Sequence, residues 1–226
     1  DTIEIIGSGS AVSIDLTPDS DFLNGAFINV GTTVTYFNGF TAVGSRSDTV
    51  FISPETVIEN VIAADGNDLI TGNSANNRLE GNAGNDSLTG AAGDDRLLGS
   101  NGDDQIIGGT GNDFISGGAD DDVASGGDGN DQIYAGDGDD TIMLGLGNDV
   151  ASGGAGADIF VFAEVGGTSV INDFDEEVDL IDFSGTGLSA EDITLTADED
   201  GLLVTWDGGS LLLAGETTVS DSAFLF

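Results

Sequence analysis

The chain has 226 residues, with 42 Asp plus Glu against three Arg and no Lys, and a formal net charge of −39. Phosphate neutralisation needs cations, so nucleic-acid binding is excluded, and docking on an anionic membrane surface is disfavoured on the same ground. With no His and no Cys, the common zinc sites, the imidazole general base, the thiolate nucleophile and disulfide bracing are all removed.

Residues 1–53 carry short β-type runs with polar breaks, IEII (3–6), AVSIDL (11–16), TTVTYF (32–37) and TVFI (49–52), and no helical period. They are expected to form an amino-terminal β cap. Residues 1–10 lack the basic start of a signal peptide, and no apolar run approaches the roughly 20 residues of a membrane span. PETVIENVI (54–62) falls in register with the nine-residue units that begin at residue 63, setting Glu59 and Val61 at the acidic and apolar places of a degenerate first repeat.

From 63 to 161 a nine-residue unit recurs eleven times, from AADGNDLIT through GNAGNDSLT, GSNGDDQII and GGDGNDQIY to GGAGADIFV. The sixth place is Asp in ten units, Asp68, Asp86, Asp95, Asp104, Asp113, Asp122, Asp131, Asp140, Asp149 and Asp158, and Asn77 in the other. The fourth is Gly in nine, Gly66, Gly84, Gly93, Gly102, Gly111, Gly129, Gly138, Gly147 and Gly156, with Ala75 and Asp120 as exceptions. The eighth is always apolar: Ile70, Leu79, Leu88, Leu97, Ile106, Ile115, Ala124, Ile133, Ile142, Ala151 and Phe160. Ala124 and Ala151 are small for that place, so the core is expected to thin there.

Glycine at several places permits a tight loop over the first six residues of each unit, and the last three form a minimal strand with one side chain inward. Two units then complete a turn, stacking strands into two parallel sheets with loops on both edges. The first edge presents Asp68, Asp86, Asp104, Asp122, Asp140 and Asp158, and the second Asn77, Asp95, Asp113, Asp131 and Asp149. Carboxylates in a file about 4.8 Å apart repel one another when bare. A hard dication between successive loops turns them into ligands, supplemented by the carbonyls of the glycine-rich loops. Five gaps on one edge and four on the other set a ceiling of about nine ions.

These units resemble the RTX nonapeptide GGxGxDxUx. The resemblance implies a calcium-loaded parallel β-roll, all-β, in a protein secreted by a Gram-negative bacterium to the cell surface or extracellular space. The start of the array, IENVIAADGNDLITGNSANNRLEGNAGND, and the runs GADIFVF, INDF and DLIDFSG after it resemble the noncatalytic carboxyl region of serralysin-type secreted proteins. Those proteases carry HExxHxxGxxH, and a chain without His can resemble only their noncatalytic half. Asp221 followed by AFLF (223–226) is similar to the signal read by type I secretion machinery; an ordinary final strand is the other reading.

Residues 162–226 are expected to form a carboxyl-terminal β cap from TSVINDF (168–174), VDLIDF (178–183), DITLTA (192–197), GLLVTW (201–206) and SLLLAG (210–215), the last two joined as a hairpin across Asp207, Gly208 and Gly209. Asp173, Asp175, Asp179 and Asp182 either hold one more ion or solvate strand ends. Leu98, Ile107, Phe114, Val123, Tyr134, Met143 and Val150 at outward places, with Leu144 and Leu146 in a loop, are either covered or singly exposed, or form an association surface. Among 42 acidic residues carboxylate pairs arise everywhere, so they carry no glycosidase signature and no enzymatic activity is expected. The expected function is a secreted calcium-binding β-roll that folds outside the cell and serves as a structural, self-associating element, with calcium, the type I machinery and further copies of itself, as homo-oligomer or filament, for partners. The alternative is the secretion and folding module of a larger secreted enzyme.

Overall fold

The computed structural model describes residues 60–226 other than 64, 164, 165 and 198, and five earlier strands as backbone. Those five are β1 Thr2–Ile6, β2 Ser13–Asp15, β3 Val34–Tyr36, β4 Gly39–Val43 and β5 Thr49–Phe51. Four fall on the expected runs; β4 was not expected. Glu59 lies outside the described residues.

The array begins with β6 Asn60–Ile62 and β7 Leu69–Thr71 and continues through nine six-residue strands. These are β8 Arg78–Ala83, β9 Ser87–Ala92, β10 Arg96–Asn101, β11 Gln105–Thr110, β12 Phe114–Ala119, β13 Val123–Asp128, β14 Gln132–Asp137, β15 Thr141–Leu146 and β16 Val150–Ala155. After β17 Ile159–Val161 come β18 Gly167–Ile171, β19 Leu180–Asp182, β20 Thr194–Ala197, β21 Gly201–Trp206, β22 Gly209–Ala214 and β23 Phe224–Leu225.

Even-numbered strands of the array stack in one sheet and odd-numbered strands in the other, all parallel, with a register that advances 18 residues per turn: Leu79 pairs with Leu97, and Leu97 with Ile115. Val61 pairs with Leu79 and is fully buried, so the degenerate first unit sits in register. The architecture is an all-β parallel β-roll.

The strands β8 to β16 are twice as long as the three residues expected, running from the seventh place through the third place of the next unit. Only places four to six remain as loop. The burial alternates along the strand so that both the eighth place and the following first place face inward. The first place is usually glycine, which gives no hydropathic signal. Where it is not, the side chain enters the core: Ala135 is 1 % and Leu144 0 % exposed. Leu144 is therefore a core strand residue, not an outward loop residue. Together with Ala135 it adds apolar volume in the region where the eighth place shrinks to Ala124 and Ala151, themselves fully buried.

Two places of the unit, one in the loop and one near the end of the strand, need a left-handed backbone. At the fourth, Gly129 has φ +146°, and a Cβ there would run into the carbonyl oxygen of Gly111 one turn earlier. At the second, most units place glycine, but Asn82, Ala91 and Ser100 are held at φ 79°, 88° and 94°, a conformation that costs non-glycine residues energy.

Beyond the array β18 and β22 extend one sheet, and β19 and β23 extend the other, all in parallel. β21 and β22 form the expected hairpin, with Trp206 paired to Gly209, so the turn is Asp207 and Gly208 alone. Phe183 joins the two sheets at this end: its ring centroid lies 5.1 Å from Phe162, 5.2 Å from Trp206 and 6.3 Å from Phe224. These described strands lengthen the roll and do not fold back over its faces. Ile107 and Tyr134 stay 40 % exposed, and Phe114 packs between Tyr134 (5.5 Å) and the Arg96 guanidinium (4.1 Å) on an outer face.

Candidate metal-binding files

The sixth-place side chains project from loops into the roll, where every Asp from Asp68 to Asp158 is 1–3 % exposed. The 18-residue register aligns them, and each Oδ1 accepts the backbone N–H of the sixth-place residue one turn earlier. On the first edge the chain of bonds runs from Asp68 N to Asp86, then Asp104, Asp122, Asp140 and Asp158, at 2.7 to 2.9 Å. On the second it runs from Asn77 N to Asp95, then Asp113, Asp131 and Asp149, at 2.7 to 3.0 Å. Both edges have the membership expected from the sequence. Asn77 holds its place in the file, its Oδ1 accepting the Asn73 N–H at 2.8 Å.

The other carboxylate oxygen is treated differently. Oδ2 of Asp86, Asp95, Asp104, Asp113, Asp122, Asp131 and Asp140 is buried and accepts no hydrogen bond. All of these oxygens but that of Asp140 face the first-place glycine of their own unit: a Cβ built on Gly108 would strike Asp113 Oδ2 and approach the Gly126 carbonyl oxygen to 2.6 Å. Buried polar atoms are rarely left without a partner, and a charged one is costly. Burial accordingly pushes the carboxyls up, to about 7 for Asp95, Asp104, Asp122 and Asp131 and about 6 for Asp86 and Asp158, against the opposing pull of the backbone N–H bond. Neighbouring carboxylates in the file add to the rise, as Asp104 and Asp140 do for Asp122.

Among the described residues no three carboxylates converge on one point; the acids form files, one per turn and edge. Coordination of an ion therefore needs backbone carbonyls. The Gly66, Gly84, Gly93, Gly111, Gly129 and Gly138 oxygens each lie against the loop of the next turn on their edge, and first-place carbonyls such as that of Gly126 lie on the same side as the Asp Oδ2 atoms. Gly102, Gly147 and Gly156 occupy the same left-handed loop position. A hard, oxygen-seeking cation such as calcium fits this donor set.

Past the array the first file continues, Asp158 N donating to Asp179 Oδ1 at 2.9 Å, while Asp173 Oδ1 accepts Gly153 N–H at 3.0 Å. The second file ends on a hydroxyl: Ser169 Oγ accepts Asp149 N–H at 3.3 Å. Asp175 and Asp182 instead close local turns, accepting the N–H of Glu177 and Ser184. Of the four acids proposed as one extra site, Asp179 thus extends the first file, Asp173 binds the Gly153 N–H beside it, and two cap turns.

The fifth place was missed by the sequence reading. It is Asn or Asp in ten of eleven units, and it builds a second, exposed ladder of opposite polarity, in which most side chains accept the N–H of the residue one turn later, while Asn85 Nδ2 donates to Asp103 Oδ2 at 3.1 Å. Asp139 N donates to Asp121 Oδ1 at 2.8 Å on the first edge, and Asn148 N to Asn130 Oδ1 at 2.9 Å on the second.

Residues 62–163 match the RTX calcium-binding nonapeptide repeat in four copies, 62–97, 98–133, 116–151 and 134–163, the last three overlapping in turn. Over residues 62–163 the roll is thus built of units that match RTX calcium-binding repeats. Among solved structures, the chain is similar to the R3 subunit of the mannuronan C5-epimerase AlgE6 of Azotobacter vinelandii, with 26 % identity over 50 % of this chain and 78 % of that one and a TM-score of 0.42. It is also similar to the extracellular lipase LipA of Serratia marcescens, with 15 % identity over 71 % of this chain and 40 % of the lipase and a TM-score of 0.32. The comparison with curated proteins found no match.

Proposed function

We propose that this chain is a secreted β-roll that binds calcium along both edges, folds when it meets the ion outside the cell, and acts there as a noncatalytic structural element that associates with copies of itself. The observation that carries the calcium reading is the set of seven buried Oδ2 atoms without a hydrogen-bond donor, in files along both edges. Calcium between successive loops supplies the missing positive charge, and because binding requires the folded stack, the binding free energy drives folding. In a calcium-poor cytosol the bare files keep the chain open and exportable by type I machinery.

Self-association is supported by where the charge is not. The seventh- and ninth-place residues of β9, β11, β13 and β15, among them Ser87, Thr89, Gln105, Ile107, Val123 and Met143, carry no charge, the one acid of these strands being Asp128 at the end of β13, although the chain as a whole carries −39. Mutual repulsion leaves such a face as the ground on which two copies can meet. Sedimentation velocity in millimolar calcium is expected to show dimers or larger species that Ile107→Asp returns to monomers. A calcium-loaded monomer at all concentrations overturns the self-association and leaves the reading of a secretion and folding module.

A further inference from the structure

We infer that the two edges of the roll are two classes of calcium site, a tight class on the first edge that the ion itself must hold in shape, and a weaker class on the second edge that an amide ladder holds in shape without it. The inference rests on reading the Asp files as calcium sites, and it comes from the fifth-place residues that flank them.

On the second edge the central fifth-place residues are Asn112, Asn130 and Asn148. Each donates its side-chain amide to the side chain below it, Asn112 to Asp94 at 3.2 Å, Asn130 to Asn112 at 3.2 Å and Asn148 to Asn130 at 3.0 Å. The same oxygens accept the backbone N–H bonds from Asn112, Asn130, Asn148 and finally Thr168, at 2.8 to 3.0 Å. The ladder is self-satisfying and nearly neutral.

At the equivalent turns the first edge has Asp103, Asp121 and Asp139. These accept backbone N–H bonds from Asp121, Asp139 and Ala157 at 3.3, 2.8 and 2.9 Å, but a carboxylate has no hydrogen to give the carboxylate beside it. Each stands next to a buried file member, Asp104, Asp122 or Asp140, whose Oδ2 lacks any donor. Asp120 and Asp137 add to the same loops, and their charges act on Asp104 and Asp140 respectively. The matching turns of the second edge carry Asp113, Asp131 and Asp149, with Asp128 as the one further acid in those loops.

Affinity for calcium rises with the charge gathered around the site, and the cost of leaving the site bare rises with it. The first edge therefore binds more tightly and is more dependent on the ion. The outer row is exposed, so its share of the affinity is screened by salt.

The test is equilibrium dialysis of calcium against three forms of the full chain: the parent, Asp103→Asn/Asp121→Asn/Asp139→Asn, and Asn112→Asp/Asn130→Asp/Asn148→Asp. Both variants keep an oxygen acceptor at every fifth place, and far-UV circular dichroism in saturating calcium checks that they fold. If either triple variant fails that check, Asp121→Asn and Asn130→Asp replace them. The parent is expected to show two classes of site separated by about tenfold at low salt, converging in 1 M NaCl. Asp-to-Asn variants weaken the tight class, and Asn-to-Asp variants strengthen the weak one. A single class unmoved by either change, or two changes that shift affinity in the same direction, overturns the inference while leaving calcium binding intact. Absence of any bound calcium overturns the calcium reading itself.

Discussion

Acid is expected to fold the metal-free protein. Burial raises the carboxyls of Asp95, Asp104, Asp122 and Asp131 to about 7 and those of Asp86 and Asp158 to about 6, from 3.8 in the unfolded chain. A group whose pKa is raised by folding binds protons more tightly in the folded state, so it favours the fold as pH drops. Its stabilisation is complete below the unfolded value and is lost as pH rises through the folded one. The window therefore lies between about pH 7 and 4. A tenfold change in proton affinity between the folded and unfolded states is worth about 1.4 kcal/mol. Six such groups, even heavily discounted for screening, compare with the roughly 5–15 kcal/mol that holds an ordinary domain together.

Far-UV circular dichroism of the chelated protein should accordingly change from coil at pH 8 to β at pH 5, a range that stays above the isoelectric point near 4.1. With calcium present the slope reverses, because protons and calcium compete for the same oxygens, and the calcium midpoint should rise on acidification. A metal-free protein whose spectrum is the same at pH 8 and pH 5 would contradict the assignment of these carboxyls as the source of instability.

The second large effect separates the two oxygens of one file member. Asp131 Oδ1 accepts the Asp113 N–H at 2.8 Å, while its Oδ2 has no hydrogen-bond donor. Asp131→Asn keeps an oxygen for the first function and removes the charge. Asp131→Ala removes both and leaves a buried N–H without an acceptor, at a cost of about 1–3 kcal/mol. In calcium titrations both variants should need roughly tenfold more ion to fold, since each loses a charged ligand in the middle of its file. At pH 5 without metal they should part, Asn folding at least as well as the parent and Ala melting lower. Equal melting of the two at pH 5 would remove the hydrogen-bond role, and an unchanged calcium midpoint for Asn would remove the ligand role.

Much of this site was legible before the structure. A strict nine-residue period with one apolar place forces an 18-residue turn, and the Asp68 to Asp158 and Asn77 to Asp149 files come from it by counting. Val61 was placed by the same count. Strand length was misjudged because the first place, inward like the eighth, is glycine in most units and has no side chain to advertise its direction; Ala63, Ala135 and Leu144 were the visible exceptions. The fifth-place ladder was missed for another reason. Asn and Asp there look like ordinary turn residues, and their alternation between edges emerges only once units are sorted by parity. β4 was missed because a five-residue GFTAV run that begins on glycine carries little strand signal. The extension of the first file to Asp179 lay beyond the strict period, 21 residues after Asp158 instead of 18.

The central claim is that the stack exists because ions fill it. Calcium titrated into the chelated protein at pH 7.5, followed by far-UV circular dichroism, tests this most directly. The account predicts a coil spectrum at the start and a steep transition to β at or below millimolar calcium, not reproduced by magnesium, whose octahedral demands suit carbonyl-rich loops poorly. A β spectrum that is already complete in chelator at pH 7.5, or no transition up to several millimolar calcium, would contradict it.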